Sequence, residues 1–191
     1  MSESIVLCGV GGQGTVLASK LLAAAAMDRG MPVKTAETIG MAQRGGSVFS
    51  HVRLGDGAAS PLIGRGRADL IIAFEPAEAV RQLAYLRLGG TVVVSDRAIV
   101  PASALVGGPA YDVEAVMVYL RKEVANLVVV DAAAAAHDLG SAKCLNVVLL
   151  GAAVRSGALS LTTDDIAKAI KRLVPERFQE LNARALAYAN N

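Results

Sequence analysis

Ser4-Ile5-Val6-Leu7-Cys8-Gly9-Val10-Gly11-Gly12-Gln13-Gly14-Thr15-Val16 is the stretch on which the fold class turns. A continuous apolar run ends at Gly9, as a strand buried on both faces does. Good helix formers fill Thr15 to Arg29, with Val16, Leu17, Leu21, Ala24 and Ala25 on one face and Gly30 as the C-cap. Strand, glycine turn and helix form the setting that a G-x-G-x-x-G fingerprint requires. Gly9, Gly11, Gly12 and Gly14 let the backbone turn tightly around Gln13 and approach a ligand, and the helix N-terminus offers amides and a positive dipole to an anion. A bound nucleotide-like anion and simple packing of helix on sheet both account for this loop. A dinucleotide site also wants an acid at the end of the second strand. Glu37 is available, about 28 residues after Gly9 where roughly 20 is usual.

Working outward, Pro32–Glu37 reads as a second strand, and Ser47–Leu54 as an alternating strand whose wet face carries Phe49, His51 and Arg53. Ala68–Phe74 is a buried strand, Pro76 opens a helix to about Leu86, and Thr91–Asp96 is β-rich. Val100–Pro109 reads as a loop, Asp112–Glu123 as a helix and Asn126–Asp131 as a further buried strand. The alanine tract Ala132–Ala136 fits a packed helix. The tail is helical over Cys144–Ser156, over Asp164–Leu173 behind a Thr163 cap, and over Glu176–Ala189 with Phe178, Leu181 and Tyr188 on one stripe. This alternation predicts a three-layer, Rossmann-like α/β fold with a mostly parallel sheet and a helical C-terminal tail. Ser47–Leu54 follows its predecessor without a helix between them, so at least one antiparallel pair is expected. No linker or repeat divides residues 1–191, which read as a single domain.

Composition excludes several classes. Apolar residues make up 53% and charged residues 19%, which rules out disorder. The longest uncharged stretch, Ser4 to Ser19, is interrupted by four glycines and a glutamine, so no membrane span and no signal peptide is expected. A net charge of +2 and an aromatic share of 4% give no footprint for nucleic acid. Cys8 and Cys144 are far apart, which suits a reduced, cytoplasmic setting, and with His51 and His137 they are too few for an iron–sulfur cluster or a structural zinc.

The second informative segment is Thr38-Ile39-Gly40-Met41-Ala42-Gln43-Arg44-Gly45-Gly46-Ser47. Its glycines bracket Gln43 and Arg44, giving a bendable loop with a bidentate donor at its tip. Gln43, Arg44, Gly45 and Gly46 therefore join Gly9, Gly11, Gly12, Gln13 and Gly14 as candidate ligand-binding residues; solvated loop chemistry is the alternative. Arg65 and Arg67, in the same locally basic region, read as surface side chains. Gly55-Asp56-Gly57 reads as a turn and not as a thiamine diphosphate motif, because the first asparagine is Asn126. His51 and His137 read as structural, and Cys8 as a small buried hydrophobe.

Gly9–Gly14, Gly40-Met41-Ala42-Gln43-Arg44-Gly45-Gly46-Ser47-Val48, His51-Val52-Arg53, Ser60-Pro61-Leu62-Ile63 and Arg87-Leu88-Gly89-Gly90 together resemble the small subunit of the 2-oxoacid:ferredoxin oxidoreductases. The Met-Ala-Gln-Arg-Gly-Gly-Ser form resembles the beta subunit of the indolepyruvate enzymes; Ile39 departs from the histidine that many relatives carry there. The resemblance implies a subunit that assists oxidative decarboxylation of a 2-oxoacid to an acyl-coenzyme A. Thiamine diphosphate and 4Fe-4S clusters would lie on a large partner subunit that passes electrons to ferredoxin. It further implies coenzyme A contact, no activity alone, and a homodimer as a form the isolated chain could take. A free-standing NAD(P)- or flavin-binding enzyme and a pure assembly module are the alternatives.

Overall fold

The computed structural model describes residues 2–37, 46–57, 59–100 and 110–188. Six strands, β1 (Glu3–Val10), β2 (Val33–Glu37), β3 (Ser47–Leu54), β4 (Ala68–Ala73), β5 (Leu86–Ser95) and β6 (Asn126–Val130), form one sheet in the order β2-β3-β1-β4-β5-β6. β1, β4, β5 and β6 run parallel, while β3 runs antiparallel to both of its neighbours. The expected antiparallel pair is thus doubled. Helices α1 (Thr15–Asp28), α2 (Pro76–Gln82), α3 (Val113–Glu123), α4 (Ala132–Leu139), α5 (Leu145–Arg155), α6 (Thr163–Leu173) and α7 (Glu176–Ala187) complete the three layers.

Successive strand residues point to opposite faces, so Ile5 and Leu7 join one core while Val6 and Cys8 join the other. The first core is thick, with Leu22 of α1, Leu149 and Leu150 of α5, Ile166 of α6 and Leu186 of α7. Thinner cover on the second face comes from Ala79 of α2 and Met117 and Leu120 of α3. The alanine tract is indeed helix, opening α4 behind the Asp131 cap.

Several local expectations are corrected. On α1, Val16 and Leu17 are only half-buried, whereas Ala18, Ser19 and Ala26 are buried with Leu21, Ala24 and Ala25. The helix after Pro76 stops at Gln82; a short 3-10 turn, Leu83–Tyr85, leads into β5 at Leu86 instead of Thr91. Arg87 explains the early start, since its Nε donates to Asp69 at 2.6 Å and ties this end of β5 to β4. On α7 the buried residues are Asn182, Ala185 and Leu186, while Phe178 is largely exposed. Of the expected loop at Val100–Pro109, residues 101–109 lie outside the described residues, as does Ala189 at the end of the expected last helix.

The wet face of β3 is not wet. His51 is 3% exposed, covered by the Ser60–Ile63 segment. Ile63 N–H donates to His51 Nδ1 at 3.0 Å, and Arg53 Nη1 donates to the Ser60 carbonyl at 3.3 Å. Burial pushes the His51 imidazole below its ordinary range. Unfolding therefore binds a proton that the native state refuses, and the stability from neutral His51 is complete above about pH 6.5 and lost as pH falls below it. His51→Asn, which can still accept from Ile63, should flatten the fall in thermal midpoint between neutral pH and pH 5; an unchanged slope would contradict this.

The cap of α6 is Thr162, one residue before the expected Thr163. Its hydroxyl accepts from Asp165 N–H at 3.2 Å while Asp165 Oδ2 accepts from Thr162 N–H at 2.8 Å. Thr162→Ala should cost about 1 kcal/mol in urea unfolding, and Thr163→Ala less than about 0.5 kcal/mol.

Candidate functional site

Glycines 9 to 14 leave the C-terminal end of β1 and turn into α1. The loop holds itself through Gln13, whose Oε1 accepts from Val10 N–H at 2.7 Å and whose Nε2 donates to the Phe74 carbonyl at 2.8 Å. A Cβ on Gly9 would stand 2.7 Å from Gln13 Oε1 and 2.9 Å from Phe74 Cβ, so Gly9 is dictated by this clasp. Gln13 thus supports the loop, its side-chain amide being engaged at both ends. Gly12, at φ +100, has nothing within 4 Å of a built Cβ and faces open space. Gly14, at φ 86, is the N-cap of α1 and would meet Asn146 Nδ2 at 2.8 Å.

The four helices that follow parallel strands all begin at this edge of the sheet. α2, α3 and α4 are capped by the carboxylates of Glu75, Asp112 and Asp131. α1 has no side-chain cap and no acid in its first turn. Its leading amides have no intrahelical partner and carry the positive end of the helix dipole. They border a cleft of ≈ 360 Å³ lined by Gly11, Gly12, Gly14, Thr15, Val48 and Phe49, among others.

β3 supplies the opposite wall. Its register places Ser47 opposite Val10, and Gly11 N–H donates to the Gly46 carbonyl at 2.8 Å. The two glycine segments singled out in the sequence therefore meet at this bond. Gln43, Arg44 and Gly45, with Ile39, lie outside the described residues; Gly46 is the member placed against the loop.

Glu37 serves another purpose than a ribose contact. β3 separates β2 from β1, which puts Glu37 two strand spacings, roughly 9–10 Å, from the first strand. Its Oε1 accepts from Ser19 of α1 at 2.7 Å. The geometry of a dinucleotide site is absent at that position.

Sequence reasoning missed two buried acids beside the cleft. Glu75 and Glu78, 1% and 2% exposed, occupy the start of α2. Glu75 accepts from Glu78 N–H at 3.0 Å, from Ile99 N–H at 3.4 Å and from the Tyr111 hydroxyl. Burial and this carboxylate push the Tyr111 phenol well above its ordinary value. Glu78 accepts from Ser47 Oγ at 2.5 Å and pairs with Arg81. The available signal was Phe74-Glu75-Pro76-Ala77-Glu78, two acids around an N1 proline at the end of a buried strand. Cys8 lies beneath them, buried, its thiol donating to the Glu78 carbonyl at 3.5 Å; burial and then the two acids raise its pKa, so it is an inert core thiol as read. His51 belongs to the framework, whereas His137 is exposed beside Asp138 and is not a core residue. Arg65 and Arg67 are exposed as expected.

Comparison with known proteins follows the same lines. The family model described as pyruvate ferredoxin/flavodoxin oxidoreductase matches residues 4–191. Indolepyruvate oxidoreductase subunit IorB of Archaeoglobus fulgidus is 40% identical over 192 residues, covering 100% of this chain and 95% of that protein. The subunit of the same name from Pyrococcus horikoshii is 35% identical over 184 residues, 95% of this chain and 91% of that one. In fold, the gamma subunit of a keto/oxoacid ferredoxin oxidoreductase from Geobacter sulfurreducens superposes with a TM-score of 0.70 at 24% identity, over 98% of this chain and 93% of its own.

The glycines should separate by mechanism. Gly12→Ala incurs only the left-handed backbone cost, about 1–2 kcal/mol. Gly9→Ala drives a methyl into Gln13 and Phe74 and should cost about 2–3 kcal/mol. Gln13→Ala should partly relieve the second substitution and leave the first unchanged, as measured by a double-mutant cycle on urea unfolding.

Proposed function

The chain belongs to the pyruvate ferredoxin/flavodoxin oxidoreductase family as a small, gamma-type subunit, and from that membership we propose its share in the reaction. With a large partner subunit it serves the oxidative decarboxylation of an indolepyruvate-type 2-oxoacid to the acyl-coenzyme A, with electrons leaving to ferredoxin. The indolepyruvate assignment rests on the IorB relatives and on Met41-Ala42-Gln43-Arg44-Gly45-Gly46-Ser47. The setting is cytoplasmic; among the described residues no helix is long and apolar enough to cross a membrane.

This chain's share is ligand binding. The observation that carries the reading is the Gly11–Gly46 hydrogen bond, which sets Gly46, the last glycine of the second segment, against the glycine loop that leads into the uncapped start of α1. An anionic group of coenzyme A fits such a place: a helix start with no side-chain cap among the described residues, an open face at Gly12, and an arginine in the adjoining sequence. Bound coenzyme A supplies the thiol that accepts the acyl group. The amides of Gly12 and of the first turn of α1, with Arg44, would hold its phosphate and orient the molecule. Gly9, Gln13 and Gly14 shape the loop, and Gln43, Gly45 and Gly46 belong to the proposed ligand-binding set.

Thiamine diphosphate and 4Fe-4S clusters are assigned on this reading to the large subunit; a cluster does not fit the cysteines of this chain. Its cysteines, Cys8 and Cys144, are buried in separate cores on opposite faces of the sheet, and a cluster needs about four thiolates. The subunit is inactive alone; a homodimer is the form available to it without its partner.

Reconstitution with the large subunit tests the reading. Coenzyme-A-dependent ferredoxin reduction should require both subunits and prefer indolepyruvate to pyruvate and 2-oxoglutarate. Arg44→Lys keeps the charge but loses the two-pronged contact, and should lower the rate at least about tenfold, roughly 1.4 kcal/mol, while leaving the thermal midpoint unchanged. Saturable micromolar binding of NADH or FAD by this chain, with no response to coenzyme A, would overturn the proposal.

A further inference from the structure

Two motifs of the sequence find no use in the cleft: His51-Val52-Arg53 and Ser60-Pro61-Leu62-Ile63. They are halves of one unit. His51 Nδ1 accepts from Ile63 N–H at 3.0 Å, and Arg53 Nη1 donates to the Ser60 carbonyl at 3.3 Å. Ser60 Oγ accepts from Leu62 N–H at 3.1 Å, and Ile63 is buried in the second core. Lys34 of β2 adds a bond to the neighbouring Ala59 carbonyl at 2.9 Å. With its neighbours fixed on both sides, Leu62 is nevertheless 64% exposed. A leucine in a segment held by four hydrogen bonds is a preorganised knob, and preorganised apolar anchors are what lasting interfaces are built around.

Its surroundings are cationic. Lys34 and Arg53 stand directly opposite each other on β2 and β3, an arrangement that like charges disfavour. Arg65 and Arg67 follow on the same segment, both exposed, where Gly66 and Arg67 N–H bond the Ala84 and Tyr85 carbonyls. Among the described residues, none of these four cations has a carboxylate within 4.0 Å. Asp69, at the adjoining start of β4, is taken by Arg87 and by Ser4 N–H, and Asp56 pairs with none of the four. Arg53 Nε is buried without a hydrogen-bond partner among the described residues.

We propose that Leu62, rimmed by Lys34, Arg53, Arg65 and Arg67, is a docking surface for an acidic-rimmed apolar socket on the large subunit of the same enzyme. The proposal rests on the subunit reading above and adds the surface through which assembly occurs. Charge complementarity calls for carboxylates on the partner. Continuity favours the large subunit over a transient visitor: β3 carries the Ser60–Ile63 strap through His51 and Arg53 and, toward its other end, Val48 beside the proposed ligand cleft. A partner clamped on the strap grips the strand that builds the cleft wall.

The test titrates this full-length chain into the large subunit at low and at moderate salt, with wild type, Leu62→Asp and the double variant Arg65→Glu/Arg67→Glu. All three changed side chains are exposed, and unchanged thermal midpoints will verify folding. Each variant should bind at least about tenfold more weakly, about 1.4 kcal/mol, and the double variant should lose much of the wild-type salt dependence. Wild-type affinity in both variants overturns the docking surface and leaves the subunit reading intact. Normal assembly with a raised KM for ferredoxin overturns it too, by giving the surface to the electron acceptor. If wild type itself fails to bind the large subunit, the subunit reading falls and this proposal with it.

Discussion

The antiparallel insertion of β3 between β1 and β2 is the constraint on which the molecule's architecture depends. Its register runs from Leu54 opposite Glu3 to Ser47 opposite Val10, along the whole of β1. The side-chain period of a strand is two, so a slip of one residue would exchange its faces. Val52 and Leu54 would leave the first core, and His51 would lose Ile63. The same register brings Gly46 to Gly11 and moves Glu37 out of reach of a ligand on the first loop. A parallel second strand beside β1 would have favoured a dinucleotide; the inserted strand replaces that acid with the end of a glycine-rich segment.

Within this frame the loop is stiff where it could have been mobile. Gln13 fastens Val10 to Phe74, which links the ends of β1 and β4 across the top of the sheet. Gly9 is small because the clasp passes over it, and Gly12 takes a left-handed φ with free space beside it. Four glycines thus have more than one cause. A fixed donor set would cost a ligand less ordering than a mobile one, which suits the binding role proposed for this loop.

The sequence made the alternation of strand and helix readable because its cause is local: an apolar run, a glycine turn, an amphipathic stretch. Ser47–Leu54 was recognisable to the residue from its alternation. Its wet face was misjudged because the cover comes from Ser60–Ile63, a nonlocal partner with no periodic signature. The cap of α6 was misplaced by one residue because two adjacent threonines precede the helix; only Asp165, three residues after Thr162, distinguishes them. Glycine loop and basic segment were both visible as candidates, yet their meeting depends on register, which neither segment contains. Glu75 and Glu78 escaped notice because acids at the start of a helix ordinarily face water.

Those acids also bear on why, among the described helix starts at this edge, α1 alone lacks a carboxylate cap. Buried carboxylates need donors, and those of Glu75 and Glu78 find them in the Glu78 amide and Arg81 of α2 and in the Ile99 amide, the Tyr111 hydroxyl and Ser47 packed around it. The acids of α2 are therefore satisfied by the protein's own donors, Glu78 also by the Arg81 cation, and the dipoles of α2, α3 and α4 are answered by their own caps. α1, fronted by glycines that have no side chain to offer, is left unanswered. Among the described residues, the edge thus offers one helix start without a carboxylate cap and three closed by carboxylates. On the proposed reading, an anion's preference for the start of α1 would follow from the residues at these four helix starts, before any specific contact is made.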